Sequence, residues 1–577
     1  MKRFSQESPS LRSLARARLV RFSREEDGVL TFFTIFMLFM LLMVCGIAVD
    51  LMRNEMERVK VQNTLDRAIV AAADLQQVLK PEDVVKDYFE KAGIEEYLGD
   101  IVVTPGDNLP TNYFRTVQAN ARARTSSPYM AMTGVDSLPL YVSGMAEEVV
   151  SNLEISLVLD VSGSMNNNSR LTNLKIAAKD FVDQIANNSQ DGRMAISIIP
   201  YATQVSVPDN VADAFDLEGV NDYSNCINFT ADDFETTGMR VPSPLPGAPE
   251  LTPYERTMHF DPWQSSFNGR EYNPIRLVQR PVCEEDSKRE ILVLQKDRDV
   301  LKNYIEALTA RGNTSIDIGM KWGAALLDQT MQPVIDALID DGTVSDQFDP
   351  RPAPYNSDEY LKVIVLMTDG ANTSQYYIPN TNQINYREGL TDIWWNDEEE
   401  TYSTYDANNQ RFYYSKHFDT NGDGNVSNND RWGIQPYGCA NPSASLDQED
   451  WDCGPDAENG GATRLTFPEL WAHTPIKTNY NLNYSPWLSG AYNTWRNNIR
   501  KSVNASTKDS RSQDICDEAK AAGVIVFAIG FEAQEGGKAV LKNCASSASH
   551  YFDVNGLEIA DAFTAIAHEI TQLRLTQ

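Results

Sequence analysis

Asp160-Val161-Ser162-Gly163-Ser164 places a carboxylate and two hydroxyls at alternate positions directly after an apolar run. Gly312-Asn313-Thr314-Ser315 offers further hydroxyls in a glycine-containing loop, and Thr368-Asp369-Gly370 brings a second carboxylate after another apolar run. Carboxylate and hydroxyl oxygens suit a small hard dication such as Mg²⁺ or Mn²⁺, which takes near-octahedral oxygen ligation and usually keeps waters. A water-filled position can then accept a partner's carboxylate. Ser and Asp also cap ordinary strand-to-helix turns. That plainer reading covers any one of these loops better than it covers three in register.

A second set of oxygen donors lies between Asp419 and Asp430. Asp419, Asn421, Asp423, Ser427 and Asp430 stand at positions 1, 3, 5, 9 and 12 of a loop with Gly424 at position 6, and Asn425 offers its backbone carbonyl. This is the spacing of an EF-hand Ca²⁺ loop, in which the glycine permits the sharp turn. Asp430 replaces the usual Glu, and its shorter side chain reaches the ion less readily. The flanks lack a helical pattern, so an isolated Ca²⁺ loop is expected, with an Asx-rich turn as the metal-free alternative.

Elements that would position the first set are legible on either side. EISLVLDVSGSM from Glu154, MAISIIPYA (194–202), YLKVIVLMTDG (360–370) and VIVFAIGF (524–531) read as buried strands, and LKIAAKDFVDQIA (174–186), DVLKNYIEALTA (299–310), DICDEAKAAG (514–523) and EIADAFTAIAHEITQL (558–573) as helices. Such alternation predicts an α/β domain over 151–577, with a doubly wound, mostly parallel sheet and sites at the carboxyl ends of its strands. Segments 208–285 and 371–513 interrupt it as two large insertions rich in aromatics.

Ahead of this domain, Val29 to Val49 carries no charge and is long enough to cross a bilayer as a helix. The basic residues of the tail 1–28 (Lys2, Arg3, Arg12, Arg16, Arg18, Arg21 and Arg24) hold that end in the cytoplasm by the positive-inside rule. Gly46-Ile47-Ala48 loosely resembles a signal-peptide cleavage site, but the apolar run is longer than such segments use. Over 50–150, Val61, Leu65, Ile69, Ala72, Leu75 and Leu79 recur at helical steps, which continues the rod outward to about Gln77. Short apolar runs over 84–150 then predict a small β-layer packed on it.

With 50 basic against 81 acidic residues, a net charge of −31, the chain lacks the basic face that nucleic-acid binding needs. Six cysteines fall beyond the span: Cys226, Cys283, Cys439, Cys453, Cys516 and Cys544. In an exported region they imply disulfides. Pairing sequence neighbours (226–283, 439–453, 516–544) is the economical choice among 15 connectivities. No HExxH, GxSxG or Walker A pattern occurs, so no enzyme activity is expected.

The order DxSxS, loop Thr, TDG resembles the von Willebrand factor type A domain with its metal-ion-dependent adhesion site. The resemblance implies hydroxyl ligation by Ser162, Ser164 and Thr314, with Asp160 and Asp369 ligating directly or through water. The basic tail ending REEDG, the single span and QNTLDRAIVAAA after it resemble the TadG-like proteins of bacterial tight-adherence (Flp) pilus assembly. This implies an inner-membrane anchor with the bulk of the chain in the periplasm, docking protein partners among the pilus-assembly components. A surface-exposed calcium-binding adhesin is the alternative.

Overall fold

The computed structural model describes Val20 and residues 27–74, 79–104, 114–149, 152–189, 191–218, 222–242, 251–263, 277–284, 286–357, 359–380, 385–416, 428–439 and 461–576. The chain divides into two compact units, Met1–Val150 and Ser151–Gln577.

The first unit is organised on one helix, α1 (Asp27–Ala73), whose apolar part is long enough to cross a membrane. Its outer part buries Val61, Leu65, Ala68, Ile69 and Ala72 against α2 (Pro81–Lys91) and an antiparallel sheet of β1 (Leu98–Thr104), β2 (Phe114–Ser126) and β3 (Ser137–Val149). The β-layer is therefore present, but its first segment is helical. Pro81 in the first turn, Glu82 and Asp83 at the positive end of the helix dipole, and Val84, Val85 and Phe89 on one buried face make 81–91 a helix. Asp50 on α1 is buried and accepts the N–H groups of Tyr129 and Met130, both at 2.8 Å. A Cβ on Gly46 would lie 2.8 Å from the Tyr129 side chain. The small residue that gives this stretch its likeness to a cleavage site thus makes room for that ring.

In the second unit, β4 (Asn152–Asp160), α3 (Arg170–Asn187), β5 (Met194–Tyr201), β6 (Leu292–Gln295), α4 (Arg298–Ala307), α5 (Ile316–Ala325), β7 (Tyr360–Thr368), α6 (Ala505–Ala521), β8 (Ile525–Phe531), α7 (Glu535–Cys544), β9 (Tyr551–Val554) and α8 (Glu558–Thr576) follow in order. The six strands form one sheet in the order β9-β8-β7-β4-β5-β6. All neighbours are parallel except β5 and β6.

Both faces of the sheet are covered, which is why its strands read as unbroken apolar runs. Leu157, Ile198, Val365 and Ile529 face a core shared with α3, α4 and α8. Val158, Ile199, Ile364 and Val526 face a core shared with α5, α6 and α7. On that second side α5 lies directly on β4, for a Cβ on Gly323 would sit 2.5 Å from Val158 Cγ2.

The two interrupting segments are built differently. Phe215 and Phe229 of the first pack edge-on against Trp322 of α5, with ring centroids 6.0 and 6.2 Å away, so this segment belongs to the main core. The second carries a five-stranded antiparallel sheet, including Leu390–Asn396, Thr401–Asp406 and Arg411–Tyr414. Its Trp395, Tyr402 and Trp471 share a core with Met258, Phe260 and Val282 of the first. The segment marked off at 513 ends earlier, because Asn504 caps α6 and the helix runs from Ala505.

Cys226 is bonded to Cys283, and Cys516 on α6 to Cys544 at the end of α7. The third neighbour pairing, Cys439 with Cys453, involves a residue outside the described ones. Cys45 is free.

Candidate functional site

Asp160 ends β4 at the carboxyl edge of the sheet, where a parallel α/β arrangement leaves its loops free to converge. Its carboxylate is buried, and both oxygens are occupied. Oδ1 accepts the Ser162 N–H at 2.7 Å, and Oδ2 accepts the Thr368 hydroxyl, from the end of the neighbouring β7, at 2.6 Å. Ser162 and Ser164 share a hydrogen bond between hydroxyls at 3.0 Å, and the Ser164 hydroxyl donates to Asp369 Oδ1 at 2.7 Å. The first and third loops are thereby joined side chain to side chain.

The middle loop closes against both. Gly163 N–H donates to Gly312 O at 3.0 Å, and Thr373 N–H donates to Thr314 O at 3.0 Å. A Cβ on Gly370 would lie 3.9 Å from Thr314 Oγ1. Asp160, Ser162, Ser164, Thr314 and Asp369 therefore form one cluster, in which only Ser164 is partly exposed and the rest are buried.

A carboxyl held out of water beside another acidic side chain ionises less readily. Burial, and then the charge of Asp369, push the Asp160 carboxyl up to about 6. A donor set of carboxylate and hydroxyl oxygens fits a hard dication.

Three residues not singled out from the sequence complete the surroundings. Arg170, at the start of α3, donates from Nη1 to Asp369 Oδ2 at 2.7 Å and from Nε to Glu532 Oε2 at 2.9 Å. Lys508, fully buried on α6, donates from Nζ to the carbonyls of Thr314 and Thr373, both at 3.0 Å, and to the Ser315 hydroxyl. It anchors the middle loop from beneath, at a cost: burial lowers its ammonium to about 8. No spacing in the sequence marks any of the three, since the fold alone brings them to this edge.

Of the second oxygen-donor set, Asp419, Asn421, Asp423, Asn425 and Ser427 lie outside the described residues. Asp430 is described and buried, in a short helical turn over Asn428–Arg431.

Residues 28–75, which include nearly all of α1, match the family model described as putative Flp pilus-assembly TadE/G-like. This segment is TadE/G-like. Its match spans the part of α1 that both crosses the apolar stretch and supports the β-layer.

No curated protein matches the chain. Among solved structures, the vWF domain of the type V pili tip protein Mfa5 from Porphyromonas gingivalis is similar at 14% identity and a TM-score of 0.30, covering 74% of this chain and 98% of that one. The pilus adhesin SpaC from Lactobacillus rhamnosus GG is 12% identical with a TM-score of 0.28, over 83% of this chain and 36% of that one. The pilus adhesin RrgA from Streptococcus pneumoniae is 12% identical with a TM-score of 0.26, over 82% of this chain and 49% of that one. The matches thus span about a third of SpaC and half of RrgA.

Proposed function

We propose that this chain is a membrane-anchored, non-enzymatic component of pilus assembly that docks protein partners through a metal-ion-dependent adhesion site. In this reading the second unit is a doubly wound domain of the von Willebrand type A class, the anchor lies in the inner membrane and the bulk of the chain is periplasmic. The TadE/G-like segment supports the pilus setting.

The observation that carries the docking role is the junction of loops at Ser164, whose hydroxyl bridges Ser162 and Asp369 beside Asp160. Ser162, Ser164 and Thr314 supply hydroxyl oxygens for Mg²⁺ or Mn²⁺, and Asp160 and Asp369 supply charge. A dication held by so few formal charges would draw an Asp or Glu side chain of a partner to complete its shell. Thr368 and the Ser162 N–H fix the orientation of Asp160, and Lys508 holds the Thr314 loop in place. The loop at 419–430 is assigned to Ca²⁺.

The test is capture of partners from detergent-solubilised envelopes by the full-length chain, comparing wild type with Asp160→Ala. Loss of the captured pilus components, together with loss of Mn²⁺ binding in a variant that melts normally, is expected. Undiminished capture and pilus assembly by a folded, metal-free variant would sink the reading. Because chelation would also strip the 419–430 loop, an Asp419→Asn/Asp423→Asn variant serves as the control for EDTA treatment.

A further inference from the structure

The TadE/G-like helix has two apolar faces, and among the described residues only one is covered. Val61, Leu65, Ala68 and Ala72 are buried under the β-layer. On the opposite side, Val49, Met52, Met56 and Val59 are 47%, 66%, 66% and 45% exposed, although they lie at or beyond the outer end of the uncharged span. Charged residues flank them (Arg53, Glu55, Glu57, Arg58 and Lys60), so this stretch of the helix stands in water.

Cys45, Val49, Met52, Met56, Val59 and Asn63 are separated by steps of 4, 3, 4, 3 and 4 residues. That is the a/d repeat of a coiled coil, which a helix packed on a single sheet does not need. In this register Val49, Met56 and Asn63 take the a positions, and Cys45, Met52 and Val59 take d. Glu55 is then a g position and Lys60 the following e position. In a parallel pair, g of one helix meets the next e of the other, which sets Glu55 against Lys60 of the second copy. An antiparallel pair matches g with g and e with e, so it would not set Glu55 against Lys60. Asn63 at an a position is the polar residue that fixes register in parallel two-stranded coils. The next d position is Asp66, whose charge ends the seam where the helix is given over to the β-layer.

We propose that a second copy of this chain covers the exposed face, as a parallel two-stranded coiled coil from Cys45 to Asn63. The proposal rests on α1 spanning the membrane, since single-span chains inserted alike present their helices in parallel and at high effective concentration. It does not depend on the metal site.

The test is cysteine cross-linking of the full-length chain in membranes. Copper phenanthroline serves as the oxidant, taking the two electrons released when two thiols lose their protons and join. Wild type should cross-link through Cys45 to a species of twice the chain's mass, and Cys45→Ser should not. In that Cys45→Ser background, Met56→Cys and Val59→Cys should give about fivefold more dimer than Arg58→Cys, which lies off the seam. Lys60→Glu should reduce the Val59→Cys dimer, and Glu55→Lys with Lys60→Glu should restore it. Equal cross-linking at 56, 58 and 59, a partner of another mass, or indifference to the charge exchange would overturn the proposal. A chain found outside the membrane fraction would overturn it along with the anchor, which distinguishes the two failures.

Discussion

Arg170 Nη1 lies 2.7 Å from Asp369 Oδ2, so the chain itself sets a positive charge against one of the two carboxylates of the loop cluster. Its other contact, Glu532, is drawn from the loop after β8 and held below the usual carboxylate range by side-chain hydrogen bonds, the Arg170 guanidinium's first, that outweigh its partial burial. A guanidinium and a dication compete for the same negative charge. Replacing Arg170 with Ala is expected to tighten Mn²⁺ binding by roughly tenfold, in line with the worth of a close, partly desolvated charge pair. Titration calorimetry of the purified chain checks this, and an unchanged or weaker affinity would show that Arg170 orients Asp369 instead of competing for it.

Lys508 is a buried cation serving two loops. Lys508→Met leaves the carbonyls of Thr314 and Thr373 without its ammonium, and leaves buried Asp317 without the charge now 4.0 Å away. Removing one member of such a group costs about 3–5 kcal/mol. Denaturant unfolding followed by tryptophan fluorescence should show that loss, and adding Asp317→Asn should recover part of it. A Lys508→Met protein as stable as wild type would mean that the loop is held by other contacts.

His259 makes stability sensitive to acid. Burial, and then the charge of His473, lower its imidazole from 6.5 to about 4. The folded chain therefore binds this proton less readily than the unfolded chain does. The stability that depends on a neutral His259 is complete above pH 6.5 and drains away as pH falls towards 4, by up to roughly 3 kcal/mol. His259→Gln should flatten the urea midpoint between pH 7 and pH 4.5. An equally steep acid loss in that variant would assign the effect to other groups.

How far the chain can be read without its structure depends on where the information lies. β4 and β7 are legible because a strand covered on both faces must be apolar throughout, and their ends carry Asp160 and Asp369 in plain view. Pro81–Lys91 is harder, since Val84, Val85 and Phe89 give one short buried stripe followed by strands. The first half of α6 hides inside a stretch marked as an insertion because its first turns are polar, ASTKDSRSQD, and only the Asn504 cap announces them. Arg170 and Glu532 are separated from each other and from Asp369 by long stretches of chain that carry no common pattern. Charge compensation across a folded edge leaves no local trace in sequence.

β4 is also the strand by which the chain enters its second unit, and Asp160 is its last residue. Ser162 and Ser164 follow within the same short run. In the proposed docking role, with α1 as the anchor, a partner pulling on those residues would therefore load β4 lengthwise, from one end to the other. The share of that tension carried by Ser162 and Ser164 would run along β4 without shearing its ladders to β5 and β7, whereas the share carried by Thr314 and Asp369 would pass into α5 and β7.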